Sequence, residues 1–314
     1  MLDAQLYDLT QETHGAVFEA VRAIAARSGE QHEPPPAILQ FRPAFAESPS
    51  WFLIQAAEFD PEPLTVEKLR VRDIYGSERL VQAMLELLVS EQWLDRTPDD
   101  TYPLIATGRA VITRILARSH SRTASVEPLP AADIARLEGL LRRVIEASLA
   151  SATPPGTWCL AHSRNRAPGR EAAPLAQIVQ YFSDFNAFRD DAHMAAFRTY
   201  DIPGFVWEAF SYIYTGEIAT LDALYDQLAR RGYTRGEYSG ALDELTRRGW
   251  LLPDAALGVY AVTEAGRAVR AEAERQTDIY FYAPWLCLAD HEVEAVQTLL
   301  TQLRDASLAI AAQQ

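Results

Sequence analysis

Cysteine is nearly absent from this chain. The 314 residues include two, Cys159 and Cys287. That is too few for a disulfide framework or a four-thiolate zinc site, and it fits a reducing cytoplasm. Lysine is scarcer still: of 29 basic residues only Lys68 is lysine, and the arginines are spread along the whole chain, a bias that reads as codon composition. No apolar run approaches the roughly 20 residues of a membrane span, so a membrane partner is not expected. Met1 to Gln5 lacks the basic and apolar regions of a signal peptide, which points to the cytoplasm. Positive charge is also short. The 43 acidic residues leave a net charge of -14, which on average opposes binding to nucleic acid. Glycine (15) and proline (18) are too few for a fibrous or low-complexity protein, and 48% hydrophobic residues are too many for a disordered one. A globular chain remains, long enough for two cores.

Internal similarity is present. Ala147-Ser148-Leu149-Ala150 recurs as Ala306-Ser307-Leu308-Ala309, and Leu140-Leu141 recurs as Leu299-Leu300, both at an offset of 159. Gly108-Arg109-Ala110-Val111 recurs as Gly266-Arg267-Ala268-Val269, and Tyr102 as Tyr260, at an offset of 158. Trp93-Leu94 matches Trp250-Leu251 at 157. Matches in one order with a slowly drifting offset indicate a duplication with small loop insertions. The expected organisation is an N-terminal helix and Pro-rich linker over 1–37, a first copy over 38–155, a connector over 156–176 and a second copy over 177–314. Leu6, Leu9, Val17, Val21 and Ile24 place a helix over 3–27, and Pro34-Pro35-Pro36 reads as a stiff linker. In the connector, Thr157 to Leu160 reads as a short strand.

The second copy is the clearer one. Thr220 caps a helix with apolar Leu221, Leu224, Tyr225 and Leu228, which Gly232 ends. Thr234 caps a helix over 235–248 with an inner stripe of Tyr238, Ala241, Leu242 and Leu245, stopped by Gly249. Two short strands follow, Trp250 to Leu252 and Val259 to Val262, and Thr263 caps a further helix. The stretch Arg248-Gly249-Trp250-Leu251, then Val259-Tyr260-Ala261-Val262-Thr263-Glu264-Ala265-Gly266-Arg267, resembles a winged helix-turn-helix of the MarR or PadR type. The resemblance covers 203–270 and, more loosely, 50–115, where Ile105 stands in the Thr263 position. It implies a mainly α fold with small β-hairpin wings (α+β): two tandem winged helix-turn-helix repeats forming an intramolecular pseudo-dimer. In the first copy the corresponding helices are expected near 50–59, 65–73 and 77–92, and the strands at 93–96 and 102–105. Each copy ends in a long helix, 131–150 and 290–311, and in MarR-like proteins such helices pair.

In a winged helix the third helix enters the major groove and the hairpin touches phosphates. Over 235–248 the basic residues Arg235, Arg247 and Arg248 balance Glu237, Asp243 and Glu244, and Arg230 and Arg231 tip the approach positive. The candidate DNA contacts are therefore Arg230, Arg231, Arg235, Ser239 and Arg247, joined by Arg164, Arg166 and Arg170 in the most basic loop of the chain. Over 77–92 Arg79 faces Glu78, Glu86 and Glu91, and Leu80 and Leu87 stand where the second copy has Glu237 and Glu244. That pattern means either that protein partly covers this helix of the first copy or that its core face is slightly wider, and it puts any nucleic-acid contact on the second copy. Both hairpins are poor in basic residues.

Eleven aromatic residues crowd 181–214 and four more lie at 280–285. They either fill a core or line a pocket for a small aromatic or apolar ligand, as in MarR-like regulators. The candidate lining is Phe182, Phe185, Trp207, Phe210, Tyr280 and Trp285. Asp190 with His193, and Cys159 with His162, have ligand-like spacing, but no second pair stands near either, so no metal is expected. No Gly-rich phosphate loop, Gly-x-Ser-x-Gly elbow or His-Glu-x-x-His occurs, so neither an enzyme nor a cofactor is expected. Two functions fit: a DNA-binding transcriptional regulator, monomer or homodimer, or an adaptor whose winged helices contact protein instead of DNA.

Overall fold

The computed structural model describes residues 4–27, 49–254 and 256–313. The Pro34-Pro35-Pro36 linker and the start of the first copy at 38 lie outside the described residues. In chain order the helices are α1 (Ala4–Arg27), α2 (Pro49–Phe59), α3 (Val66–Arg72), α4 (Glu78–Ser90), α5 (Ala106–Ala124), α6 (Ala131–Ala150), α7 (Trp158–Arg164), α8 (Pro174–Phe197), α9 (Gly204–Thr215), α10 (Leu221–Leu228) and α11 (Arg235–Arg247). Strands β1 (Leu251–Asp254) and β2 (Val259–Val262) follow, then α12 (Glu264–Tyr282) and α13 (Asp290–Ala311). The expected mainly helical architecture with a small antiparallel sheet is present.

The chain divides into two compact units, and each takes segments from both halves of the sequence. The first unit comprises 1–33, 113–195 and 276–314; the second comprises 34–112 and 196–275. The compact bodies therefore do not follow the expected division at 156–176.

The first unit is a helical bundle around one apolar core. The stripe Ile134, Leu137, Leu140, Leu141, Val144 and Ile145 of α6 is buried in it, as is Val293, Val296, Leu299, Leu300 and Leu303 of α13. Both stripes follow the helical period, so burial accounts for them. The two long terminal helices pack on each other, and Arg143 of α6 donates to Glu292 of α13 and to the Cys287 carbonyl at 2.8 Å. Helix α1 lies along α13. Thr13 Oγ1 donates to the Leu9 carbonyl at 2.7 Å and lies 3.3 Å from that of Leu300, and Arg304 bridges to Glu12 at 2.7 Å.

In this unit Thr157 to Leu160 departs from expectation: residues 158–164 are helical. The Asp191 carboxylate on α8 accepts the backbone N–H of Cys159 at 2.8 Å and of Leu160 at 3.0 Å. A side chain more than thirty positions away thus satisfies the first-turn donors that the local residues leave open.

The second unit holds two helix, turn, helix segments with an antiparallel element after each. In the later one, Thr220 Oγ1 accepts Ala223 N–H and Thr234 Oγ1 accepts Glu237 N–H, each at 3.2 Å. Glu237 reaches back to the Thr234 N–H at 2.7 Å, completing a capping box. Strands β1 and β2 pair antiparallel with Leu251 opposite Val262. Thr263 Oγ1 accepts the Gly266 N–H at 3.0 Å and so starts α12.

In the earlier segment Thr65 and Ser77 cap α3 and α4 in the same manner. The strands expected at 93–96 and 102–105 shrink to isolated bridges, Leu94 with Leu104 and Leu64 with Tyr102. Pro103 lies between the two bridged positions and has no N–H to donate to a continuous ladder.

Candidate nucleic-acid interface

Helix α11 carries its apolar stripe inward. Tyr238, Ala241, Leu242 and Leu245 are buried, which leaves Arg235, Gly236, Glu237, Gly240, Asp243 and Arg247 exposed with Ser239 half-buried beside them. Arg235 bridges to Asp222 at 2.7 Å, and Arg247 bridges to Glu244 at 2.6 Å. These arginine side chains keep 55% and 71% of their surface exposed, so the pairs contribute about 1 kcal/mol at most and can exchange for a phosphate. Arg248, by contrast, is half-buried. It donates to Glu244 at 2.6 Å and to the carbonyls of Tyr200 and Asp201 at 2.7 and 2.9 Å. The Glu244 carboxyl lies below its ordinary range because both arginines donate to it.

Arg231 is a correction. Predicted as a phosphate contact, it is only 8% exposed. Its Nη2 donates to Glu208 of α9 at 2.7 Å, and its Nη1 lies 3.5 Å from Asp73, just past α3. The Glu208 carboxyl is raised above its ordinary range by burial, an effect Arg231 partly offsets. The guanidinium is thus the cation of a buried ionic knot joining the two helix-turn-helix segments. A guanidinium enclosed between two carboxylates, with its side chain 10% exposed, presents no face to a phosphate. Arg230 beside it is half-buried.

The same junction explains the difference between α4 and α11. Gly232 adopts φ of +78°, and a Cβ there would run into Ser77 Oγ and Leu80 Cβ. Ser77 donates its backbone N–H to the Arg231 carbonyl at 2.8 Å. Arg79 Nη2 donates to the Gly232 carbonyl at 2.8 Å and to Glu237 at 2.7 Å. The start of α4 therefore abuts the turn that leads into α11. Leu80 is 3% exposed beneath that turn and Leu87 is half-buried, so the wider apolar stripe of α4 is met by protein at Leu80.

The hairpin tip of the second segment offers no cation. Leu252 and Leu257 are 64% and 73% exposed, and Asp254 accepts the backbone N–H groups of Ala256 and Leu257.

The remaining predicted residues divide between the units. In the first unit, Arg164 is half-buried and bridges to the fully buried Asp184 at 2.7 Å, Arg166 is half-buried, and Arg170 is exposed. The predicted ligand pocket does not assemble. Phe182, Phe185 and Trp285 are buried in the first unit with Tyr280 partly buried against them, and Trp207 and Phe210 are buried in the second. The rings pack on each other: Phe185 stacks on Trp285 at 5.2 Å, and Phe197 on Trp207 at 5.3 Å. The six predicted lining residues pack in or against the cores and border none of the described pockets, although Phe197 borders a cleft of the second unit. A cleft of about 720 Å³ in the second unit is lined instead by residues such as Val71, Ile74, Phe205 and Tyr233. Of the acid–histidine pair, His193 Nδ1 lies 3.4 Å from Thr277 Oγ1. Among the described residues no group of three His, Cys, Asp or Glu is placed to hold a metal, and no helix is long and apolar enough to cross a membrane.

A capped three-helix core, a third helix with an open polar face and a following hairpin define a helix-turn-helix protein. Residues 83–313 match the helix-turn-helix family, and the chain belongs to it. No curated protein and no solved structure matches the chain.

Proposed function

We propose that the protein is a cytoplasmic DNA-binding transcriptional regulator that engages DNA with one of its two helix-turn-helix segments, through α11. The asymmetry of the two third helices carries this reading. Helix α11 presents Arg235, Ser239 and Arg247 with Glu237 and Asp243 on an open face, whereas the outer side of α4 has Arg79 against Glu78, Glu86 and Glu91 and its Leu80 is covered. The chain is a duplicated winged helix of MarR-like or PadR-like kind. Helices α4 and α11 both have 13 residues and α5 and α12 both have 19. Gly108 and Gly266 occupy the same niche, each so close to a tryptophan carbonyl, Trp93 or Trp250, that a Cβ would strike its oxygen. These correspondences support one ancestral unit whose second copy kept the nucleic-acid face. The reading assigns no catalytic role.

Fluorescence anisotropy on mixed-sequence duplex across a salt series tests it. Each phosphate-contacting arginine contributes about one to the slope of log K against log salt. Arg235→Ala with Arg247→Ala lowers the slope magnitude by about two, while Arg96→Ala leaves it unchanged. Absence of binding by the unmodified protein at low salt refutes the proposal. One observation favours the adaptor function as the second reading: exposed Leu252 and Leu257 on a hairpin with an aspartate suit a protein surface better than phosphate.

A further inference from the structure

Three arginines from separate segments of the first unit line one pocket of about 440 Å³ in a chain that is acidic overall. Arg142 comes from α6, Arg164 from the end of α7, and Arg170 from the loop before α8. We propose that this pocket is a binding site for a small organic phosphate monoester. The inference stands apart from the DNA reading, because it concerns only the first unit.

The three cations are held differently. Behind the pocket, Asp184 is fully buried and accepts from Ser163 Oγ, Gln180 Nε2 and Arg164 Nη1 at 2.8, 2.8 and 2.7 Å. The Arg164 guanidinium also lies 5.5 Å from the centre of the Tyr181 ring. Its orientation is therefore set before any ligand arrives, which reduces the ordering cost of binding. Arg170 is exposed and has no acidic partner among the described residues. Arg142 makes only loose pairs, 3.6 Å to Glu138 and 3.3 Å to Glu146.

Those two glutamates line the pocket too, and the Tyr181 hydroxyl donates to Glu138 at 2.8 Å. The lining carries three cations against two anions, and Asp184, paired with Arg164 behind it, is a third anion, which leaves Arg170 as the cation with no acidic partner of its own among the described residues. Guanidinium forks match phosphate oxygens two at a time, and a dianion gains from several of them at once. On α6, beside Arg142, the lining also has an apolar wall of buried Ile145 and the 41% exposed Leu149. That wall suits the organic group of a monoester, and free phosphate would leave it wet. The volume lies within the range of small-ligand sites.

Isothermal titration of the full chain with phenyl phosphate, in chloride buffer at fixed ionic strength, tests the proposal. The expected result is saturable binding at one site. Arg170→Ala should weaken it roughly ten- to a hundredfold, as loss of a charge-assisted hydrogen bond does. Arg170 is exposed and unpaired, so the variant should fold as the parent does, which its melting temperature checks. Arg96→Ala, in the other unit, should bind as the parent does. Absence of saturable heat, or full affinity in Arg170→Ala, overturns the site. Equal affinity for benzoate overturns the phosphate assignment, and equal affinity for inorganic phosphate overturns the role of the apolar wall.

Discussion

Replacing Arg231 by alanine removes the cation from a site where two carboxylates remain. The Glu208 and Asp73 side chains are 10% and 8% exposed, so water does little to screen them once the guanidinium is gone. Removing one partner of a buried ion pair costs about 3–5 kcal/mol. Uptake of a proton by Glu208 relieves part of this, and burial has already raised that carboxyl above its ordinary value. The expected loss at pH 7 is about 3 kcal/mol, read as a lower urea midpoint with an unchanged slope. The sign of the pH dependence follows from the same geometry. In Arg231→Ala the neutral acid is the form the fold accepts, so its contribution is complete below the unfolded carboxyl value. It is lost as pH rises through the raised folded value, and the deficit against the parent narrows toward acid. Adding Glu208→Gln to Arg231→Ala removes one of the two stranded carboxylates and recovers part of the stability, which a double-mutant cycle reports as coupling. A loss under about 1 kcal/mol in both single variants with no coupling would refute the knot, and Arg231 would return to the set of surface arginines free to meet phosphate.

Gly232→Ala combines a left-handed backbone with a clash against Ser77 and Leu80, and should destabilise by about 2 kcal/mol in urea unfolding. Gly266→Ala and Gly108→Ala should each be destabilising, since each would drive a methyl into a tryptophan carbonyl; tolerance of both by thermal melting would undo the shared niche. His14 on α1 packs 4.7 Å from Phe18 and 5.4 Å from Phe182, its Nε2 is enclosed without a partner, and burial lowers its pKa to about 4. Its neutral form is the one the core accepts. Stability is therefore full above about 6.5 and falls with acid toward pH 4, by at most about 3 kcal/mol. His14→Leu should flatten that slope in pH-dependent unfolding.

What could be read from the chain was what local chemistry decides. The stripe over 131–150, the capping threonines at 220, 234 and 263, the left-handed Gly232 and the helix stop at Gly249 all came out as expected, because each depends on residues within a turn or two. For Leu80, setting the two helix-turn-helix segments side by side left protein cover and a wider core face both open, and the turn at Gly232 decided it. Tertiary structure decided the rest. Arg231 and Arg235 read alike in sequence, as arginines beside a third helix, yet one is buried between Glu208 and Asp73 and the other pairs with Asp222 in solvent. Thr157 to Leu160 has apolar residues that suit a strand, but Asp191 supplies the acceptor that starts a helix there. The aromatic residues of 181–214 are adjacent along the chain and yet belong to two cores. In each case the deciding energy is desolvation or a hydrogen bond to a partner far away in sequence, and neither has a local period or spacing to reveal it.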